Sequence, residues 1–534
     1  MTQSIRSFAP TMANFAMSHQ PSYAKDTDRI LYNWSGLQYI AHKEKITYPR
    51  NTQEIAQIMR QFRTVRVIGA ALSYEPITSI CAAPSIGNNL CSFPTTKPAT
   101  DRCQFCRYSE TAVLSLSQNF VGLIRLSPDR TTATFHAATP IDDVIHLLAQ
   151  HGYMMTACPG VIGVQTLAGS ISTGTHGQGL YQSDYADMVQ SFTMVLADGT
   201  IKHMTPEDPL FYLYLISLGT LGIFTEIEVS IRPRLLYTCT KCSAMYEEFL
   251  QNYQKWNEEA EFCKVWWFPN TDMCQVWLVN PSSEKETAYY QQHKRSIPLP
   301  TLSSSIAWPP HAASDDPDPV EFPSNELEAS EMNQTVRDYM RAMAKDTKVS
   351  QQSGEPQFLT LSRFMNMQTV IGWNEQLVTK GIPVPQINCE ISIPLAKFRD
   401  ATNALRAWNA ANPGKLHYPF IYRVAGASKA RMSASHRGPV VWIGFLVYIS
   451  QSGSIRHDGM STMFQLQKVL APFDGLPHWG KHFHPGLFEM DRHYGTSTWR
   501  AFKQEMRRVD PTAKLTSQFL NRIFFEPAKV QSKL

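Results

Sequence analysis

The chain is short of the features that would place it in a membrane, on a nucleic acid or around a nucleoside triphosphate. Its longest apolar run, Pro439 to Ile449, falls well short of a bilayer-spanning helix and suits a buried strand. Met1 to Ser22 mixes polar and apolar residues without a basic end followed by an apolar core, so no secretory signal is expected. The expectation is a cytoplasmic protein with no integral membrane segment; peripheral contact with an organelle membrane is compatible with it. The sequons Asn33-Trp34-Ser35 and Asn333-Gln334-Thr335 would then go unused. Charge of one sign is also scarce. Against 45 acidic residues stand 49 basic ones, a net +4, and no run of five like charges occurs, which argues against nucleic acid and for a small-molecule substrate. Neither Gly-x-Gly-x-x-Gly nor Gly-x-x-x-x-Gly-Lys-Ser/Thr appears, which removes the usual nicotinamide and P-loop readings. Ten cysteines include two close pairs, Cys103-x-x-Cys106 and Cys239-x-x-Cys242, that could supply four thiolates to zinc. Far apart in sequence in an intracellular chain, they are expected to stay reduced, with no metal.

What is present points elsewhere. At 534 residues and 43% hydrophobic, the chain can bury one large core or, more in keeping with its length, two. Its organising stretch is Val164 to Gly179, so crowded with small residues, hydroxyls and glycines that neither a regular helix nor a long strand fits it. Glycine permits close approach, while successive N–H groups and Ser/Thr hydroxyls can cradle a pyrophosphate. A small-residue packing element between two strands is the alternative. Within it, Leu167-Ala168-Gly169 followed by Thr173-Gly174-Thr175-His176-Gly177 resembles the flavin-binding loop of the vanillyl-alcohol-oxidase-type flavoproteins, in their sugar-1,4-lactone and polyol oxidase branch.

Other segments follow the family's order. Tyr32-Asn33-Trp34-Ser35-Gly36 and Thr47-Tyr48-Pro49-Arg50 precede an amphipathic helix with Ile55, Ile58, Met59 and Phe62 at helical spacing and Thr52 as its expected cap. A β-branched strand then runs into Ile68-Gly69-Ala70-Ala71-Leu72-Ser73, which resembles the first pyrophosphate loop. Many members bond a histidine before that serine covalently to the flavin; Leu72 stands here, so FAD is expected to bind noncovalently. Thr78 to Ala112, with Cys81, Cys91, Cys103 and Cys106, reads as an insertion of unassigned purpose. Thr139-Pro140-Ile141-Asp142-Asp143 predicts a helix capped by Thr139 with Pro140 at its first position. Phe192 to Ile201 reads as a hairpin turning at Asp198-Gly199. Leu218 to Glu226 matches the family pattern that brings backbone, around Ile223, to the adenine side.

From about Leu235 the composition turns aromatic and charged, and Phe262 to Pro269 resembles the first strand of the family's cap domain, with Trp266 and Trp267 facing opposite sides of a sheet. Seven prolines with serines and aspartates between Pro298 and Pro323 predict a disordered loop near 296–330. Glu390 interrupts the alternating strand Pro385 to Pro394; buried acids are rare unless paired or functional. The family has a glutamate here that points toward the flavin. Polyol-oxidising relatives carry an arginine two residues later, where Ser392 stands. Arg423, in Phe420 to Gly426, reads equally as the counter-ion of Glu390 or as a surface charge. Pro477-His478-Trp479-Gly480-Lys481 is specific to this branch.

The resemblance implies an α+β fold. A PCMH-type FAD-binding domain of two α/β subdomains would cover 25–234. A substrate (cap) domain, an antiparallel sheet flanked by helices, would cover 235–485, and 486–534 would return to the FAD domain. It implies FAD on Ile68, Gly69, Ala70, Ala71, Leu72, Ser73, Thr166, Gly169, Thr173, Gly174, Thr175, His176, Ile223 and His478. Glu390 and Lys481 would do the chemistry, with Gly160, Val161, Ser392 and Arg423 facing substrate. Gly160 leaves room for oxygen at the flavin face, which favours O2 as acceptor, although a turn glycine after Pro159 serves as well. Val161 stands where polyol oxidisers have serine, so open-chain polyols are disfavoured. The implied reaction is hydride transfer from a hydroxyl-bearing carbon to flavin N5, with aldonolactones as substrates. Two alternatives are a tailoring oxidase of less polar alcohols and a noncatalytic flavin-binding protein.

Overall fold

In a computed structural model the described residues are 29–33, 35–36, 38–79, 110–157, 163–269, 272–292, 358–360, 386–416, 419–448 and 459–526. Gly160, Val161, the Pro-rich stretch 296–330, and nearly all of the insertion with its four cysteines lie outside them. The side chains of Cys239 and Cys242 do so as well, and with them the zinc reading.

The first helix, α1 (Thr52–Gln61), buries Ile55, Ile58 and Met59 as its spacing predicts. Its cap is Asn51, whose side chain accepts from Glu54 N at 2.9 Å, one residue before the expected Thr52. The helix leads to β1 (Thr64–Ile68), parallel to Thr111–Ser115, which also pairs with Ile46–Thr47. A second sheet runs Ile201–Met204, Val189–Val195, Ile223–Pro233, Thr132–His136, Leu123–Leu126, with antiparallel pairings throughout; its first two strands form the expected hairpin, with Gly199 at φ +85° in the turn.

Helix α2 (Ile141–Gln150) carries the predicted apolar stripe, but Thr139 does not cap it. The Thr139 hydroxyl instead donates to His136 O at 2.6 Å and accepts from Gly122 N, so it is spent on the strand ends beneath the helix. The central stretch also differs from expectation, since it contains a short helix, α3 (Leu167–Ser172). Thr166 caps it by accepting from Gly169 N at 3.2 Å, and burial of Leu167 and Ile171 outweighs the small-residue composition that argued against a helix.

The cap is one eight-stranded antiparallel sheet. Its order is Phe358–Thr360, Leu236–Met245, Met273–Pro281, β2 (Phe262–Phe268), β4 (Phe420–Ala425), β5 (Val440–Tyr448), β3 (Gln386–Pro394) and β6 (Leu476–Pro477). Alternation along the strands sorts the side chains into two faces. One face packs on helices: Tyr422 meets Phe249 of Tyr246–Glu259 and Phe398 of Phe398–Ala411, and Trp267 meets Tyr246. The other carries Lys264, Trp266, Arg423, Trp442, Glu390 and Ser392. Trp266 and Trp267 are thus strand residues on opposite faces, both buried.

Two contacts fasten this sheet to the first part of the chain. Cys263 N donates to Gln178 O and Gly426 N to Gln182 O, each at 2.8 Å. At Gly179 a Cβ would lie 1.9 Å from the Glu261 carbonyl oxygen, so the close approach that its glycine permits is made by the chain's own cap. The C-terminal part returns to the parallel sheet, where Val65 N donates to Lys514 O and the buried Arg66 guanidinium donates to the carbonyls of Lys514 and Thr516.

Candidate active site

One groove collects the small-residue segments. Ile68, Gly69, Ala70, Ala71, Leu72 and Ser73 line it together with Thr166, Gly169, Thr173 and Ile223. The walls interlock closely. A Cβ on Gly69 would meet Thr166 Oγ1 at 2.7 Å, so the first loop comes this close to the start of α3 only without a side chain there; within α3, a Cβ on Gly169 would crowd the same capping oxygen at 2.8 Å. Ala71 adopts φ +55°, a left-handed turn that bends the first loop around the groove. Asn33 anchors this loop from behind by donating from Nδ2 to Ser73 O at 3.1 Å. Among the lining residues Glu75 alone is charged, so a bound anion would be met by backbone dipoles and hydroxyls rather than by cations. Those are the donors that suit the pyrophosphate of a dinucleotide, and the residues fit FAD.

The remaining cofactor candidates sit deeper. Gly174, at φ +71°, turns the chain after α3, and the Thr175 hydroxyl donates to Gln165 Oε1 at 2.9 Å. His176 then leaves the groove for the cap sheet, where it stacks on Trp442 with ring centroids 4.6 Å apart. Its Nδ1 lies 2.7 Å from Gly177 O and must carry the proton there. Its Nε2 therefore turns a lone pair toward Glu390 Oε1 at 3.3 Å.

Glu390 is the centre of this cluster. β3 places it deep in the sheet, 2% exposed, in contact with the Arg423 guanidinium from β4. Arg423 is thereby a buried counter-ion rather than a surface charge. Burial alone would raise the Glu390 pKa, but the Arg423 guanidinium, aided by the Lys481 ammonium, outweighs it and holds the carboxyl well below its ordinary value. His478, from the turn after β6, donates its backbone N–H to Glu390 O at 2.9 Å. Its Nδ1 accepts from Gly480 N at 2.9 Å, which assigns its proton to Nε2, and burial lowers its pKa to about 3, so the ring is neutral. Burial likewise lowers the pKa of Lys481, with Glu390 pulling the other way.

His176, Glu390 and His478 bring ligand atoms within 4.8 Å of one another, as a metal site would. The donors are wrong for one. Neither nitrogen of His478 offers a free lone pair, and Arg423 already neutralises the carboxylate. Ser392, expected to face substrate, is 2% exposed and spends its hydroxyl proton on Leu476 O at 3.0 Å. Sequence reasoning missed Trp442, hidden in an apolar run, and Glu75 and His482, a buried hydrogen-bonded pair at 2.6 Å. The only signals for that pair were an acid beside the first loop and a histidine beside Lys481.

Comparison with known proteins identifies the family. The D-arabinono-1,4-lactone oxidase family matches residues 227–523, more than half of the chain, and an FAD-binding domain matches residues 99–205. A Neurospora crassa protein provisionally named for the same activity is 23% identical over 402 residues, which are 69% of this chain and 68% of that one. The D-arabinono-1,4-lactone oxidases of Candida albicans and Saccharomyces cerevisiae are 26% and 25% identical over 269 and 259 residues. In both cases the match covers 48% of this chain, and it spans less than half of the yeast protein's own length, 44% and 45%. Among solved structures, a cholesterol oxidase from Brevibacterium sterolicum superposes with a TM-score of 0.62 at 14% identity, covering 93% of this chain and 96% of that one, a likeness of fold. No helix among the described residues is long and apolar enough to cross a membrane. The chain belongs to the D-arabinono-1,4-lactone oxidase family, whose members are FAD-dependent oxidases of CH–OH groups.

Proposed function

We propose that the protein oxidises sugar-derived 1,4-lactones, D-arabinono-1,4-lactone foremost, at a hydroxyl-bearing carbon, with O2 as the electron acceptor. The observation that carries this reading is the meeting of His176, from the cofactor loop, with Glu390, from the cap sheet, at one buried carboxylate. Bound FAD, held noncovalently along the groove past Leu72, would supply the hydride acceptor and the route of the electron pair to oxygen. The chain's own residues handle the proton and the charge. Glu390 takes the substrate's hydroxyl proton and relays it to Nε2 of His176, whose lone pair faces it. Arg423 keeps Glu390 ionised between turnovers. The Lys481 ammonium steadies negative charge developing on the substrate oxygen.

A screen of aldonolactones, alditols and apolar alcohols for hydrogen peroxide release tests the reading. Lactones should react, while xylitol and sorbitol should be poor, because no arginine stands at Ser392 and no serine at Val161 to bind extra hydroxyls. Flavin that no lactone bleaches anaerobically, but that an apolar alcohol does, would overturn the lactone assignment in favour of a tailoring oxidase.

A further inference from the structure

We propose that Glu75 and His482 form a positioning pair that holds the first cofactor loop and the Lys481 segment at a set spacing, with the second Glu75 oxygen accepting a hydrogen bond from the bound flavin.

Glu75 is an acid in a groove otherwise free of charged lining residues, and its side chain is fully buried. One oxygen, Oε1, takes His482 Nδ1 at 2.6 Å; the other, Oε2, has no partner among the described residues. A buried carboxylate oxygen without a partner is costlier than a neutral group left so, which makes a ligand donor its natural complement. The pyrophosphate offers only acceptor oxygens. FAD's donors are the ribityl hydroxyls and ring N–H of the flavin and, on the adenosine half, the ribose hydroxyls and the adenine amino group; because Glu75 is tied through His482 to the Lys481 segment, it is suited to the flavin half.

His482 ties the same carboxylate to the reacting region. Its backbone N–H donates to Asn388 O at 2.8 Å, two residues before Glu390 on β3. Gly480 O accepts from Tyr74 N at 3.2 Å, and Lys481 Nζ lies 5.8 Å from the Tyr74 ring centroid. The segment 478–482 therefore bridges β3 and the first loop, with Lys481 on the bridge. A backbone bond reaches each side, and the Glu75–His482 hydrogen bond adds a side-chain strut on the first-loop side.

The test uses the FAD-loaded protein and its apoprotein, with three readouts: FAD affinity by fluorescence titration, the flavin midpoint potential, and the thermal midpoint. Glu75→Ala should weaken FAD roughly 10–100-fold, the loss of a hydrogen bond to a charged group. Glu75→Gln keeps an acceptor for His482 but removes a negative charge that opposes electron uptake, so the potential should rise. His482→Phe should lower the potential toward that of Lys481→Met as the ammonium loses its place, whereas His482→Asn, whose amide N–H can stand in for Nδ1–H, should stay near the parent. If Glu75→Ala binds FAD within twofold of the parent and His482→Phe keeps the parent potential, the pair is structural glue and the proposal fails, whatever the thermal midpoints. The inference rests on flavin filling the groove, not on the choice of substrate. A protein that oxidised no lactone would leave these readouts intact.

Discussion

Replacing Arg423 with methionine removes the guanidinium from Glu390 while keeping most of the side-chain stem. The carboxylate is 2% exposed, so it cannot recover the lost partner from water. Breaking a buried pair by removing one member costs about 3–5 kcal/mol. With the guanidinium gone, burial becomes the dominant influence on Glu390, so its pKa should rise from well below the ordinary carboxylate value to above it. The sign of the pH dependence then reverses. In the parent, a depressed carboxyl contributes stability above the ordinary carboxylate range and loses it as pH falls through the depressed value. In Arg423→Met, protonated Glu390 is the comfortable form, so stability is lost as pH rises through the elevated value. Thermal midpoints of the FAD-loaded protein between about pH 4 and 8 read this directly. The parent should be nearly flat, Arg423→Met should lose stability toward neutrality, and Arg423→Met with Glu390→Gln should regain the flat profile. A single variant that parallels the parent, or a double variant no better than the single, would refute the claim that Arg423 holds a buried charge in place.

Three further outcomes follow from the site. Lys481→Met should retain FAD but slow anaerobic flavin reduction by saturating lactone about 10²–10³-fold, as loss of a charge-stabilising donor does. Because burial lowers the Lys481 pKa below 10.5, the parent's reduction rate should decline on the alkaline side earlier than an ordinary lysine allows, and stopped-flow profiles of the variant should lack that limb. Acid precipitation should release all of the yellow colour, since Leu72 offers no nucleophile to the flavin; colour retained in the pellet would show a covalent bond elsewhere.

Local chemistry made much of this protein legible from its sequence. Gly69, Gly169 and Gly174 are where the chain needs close approach or a left-handed turn, and such needs leave glycine as their mark. The apolar run at Val440–Tyr448 and the alternation around Glu390 announced buried strands, because a pleated sheet imposes a period of two. Helix ends were read less well: Asn51 displaced Thr52, and Thr139 served a strand end, because which hydroxyl or amide reaches a free N–H depends on a residue or two of backbone path. Tertiary structure decided what no window of sequence could. Arg423 was equally a surface charge until β4 and β3 took places on either side of β5, which brought the guanidinium to Glu390 across a separation of 33 residues. The contact of His176 with that carboxylate spans 214 residues, and the Glu75–His482 strut spans 407. A side chain's type sets what it can bond, but only the packing of distant strands sets what lies within about 3 Å of it, where hydrogen bonds and ion pairs act.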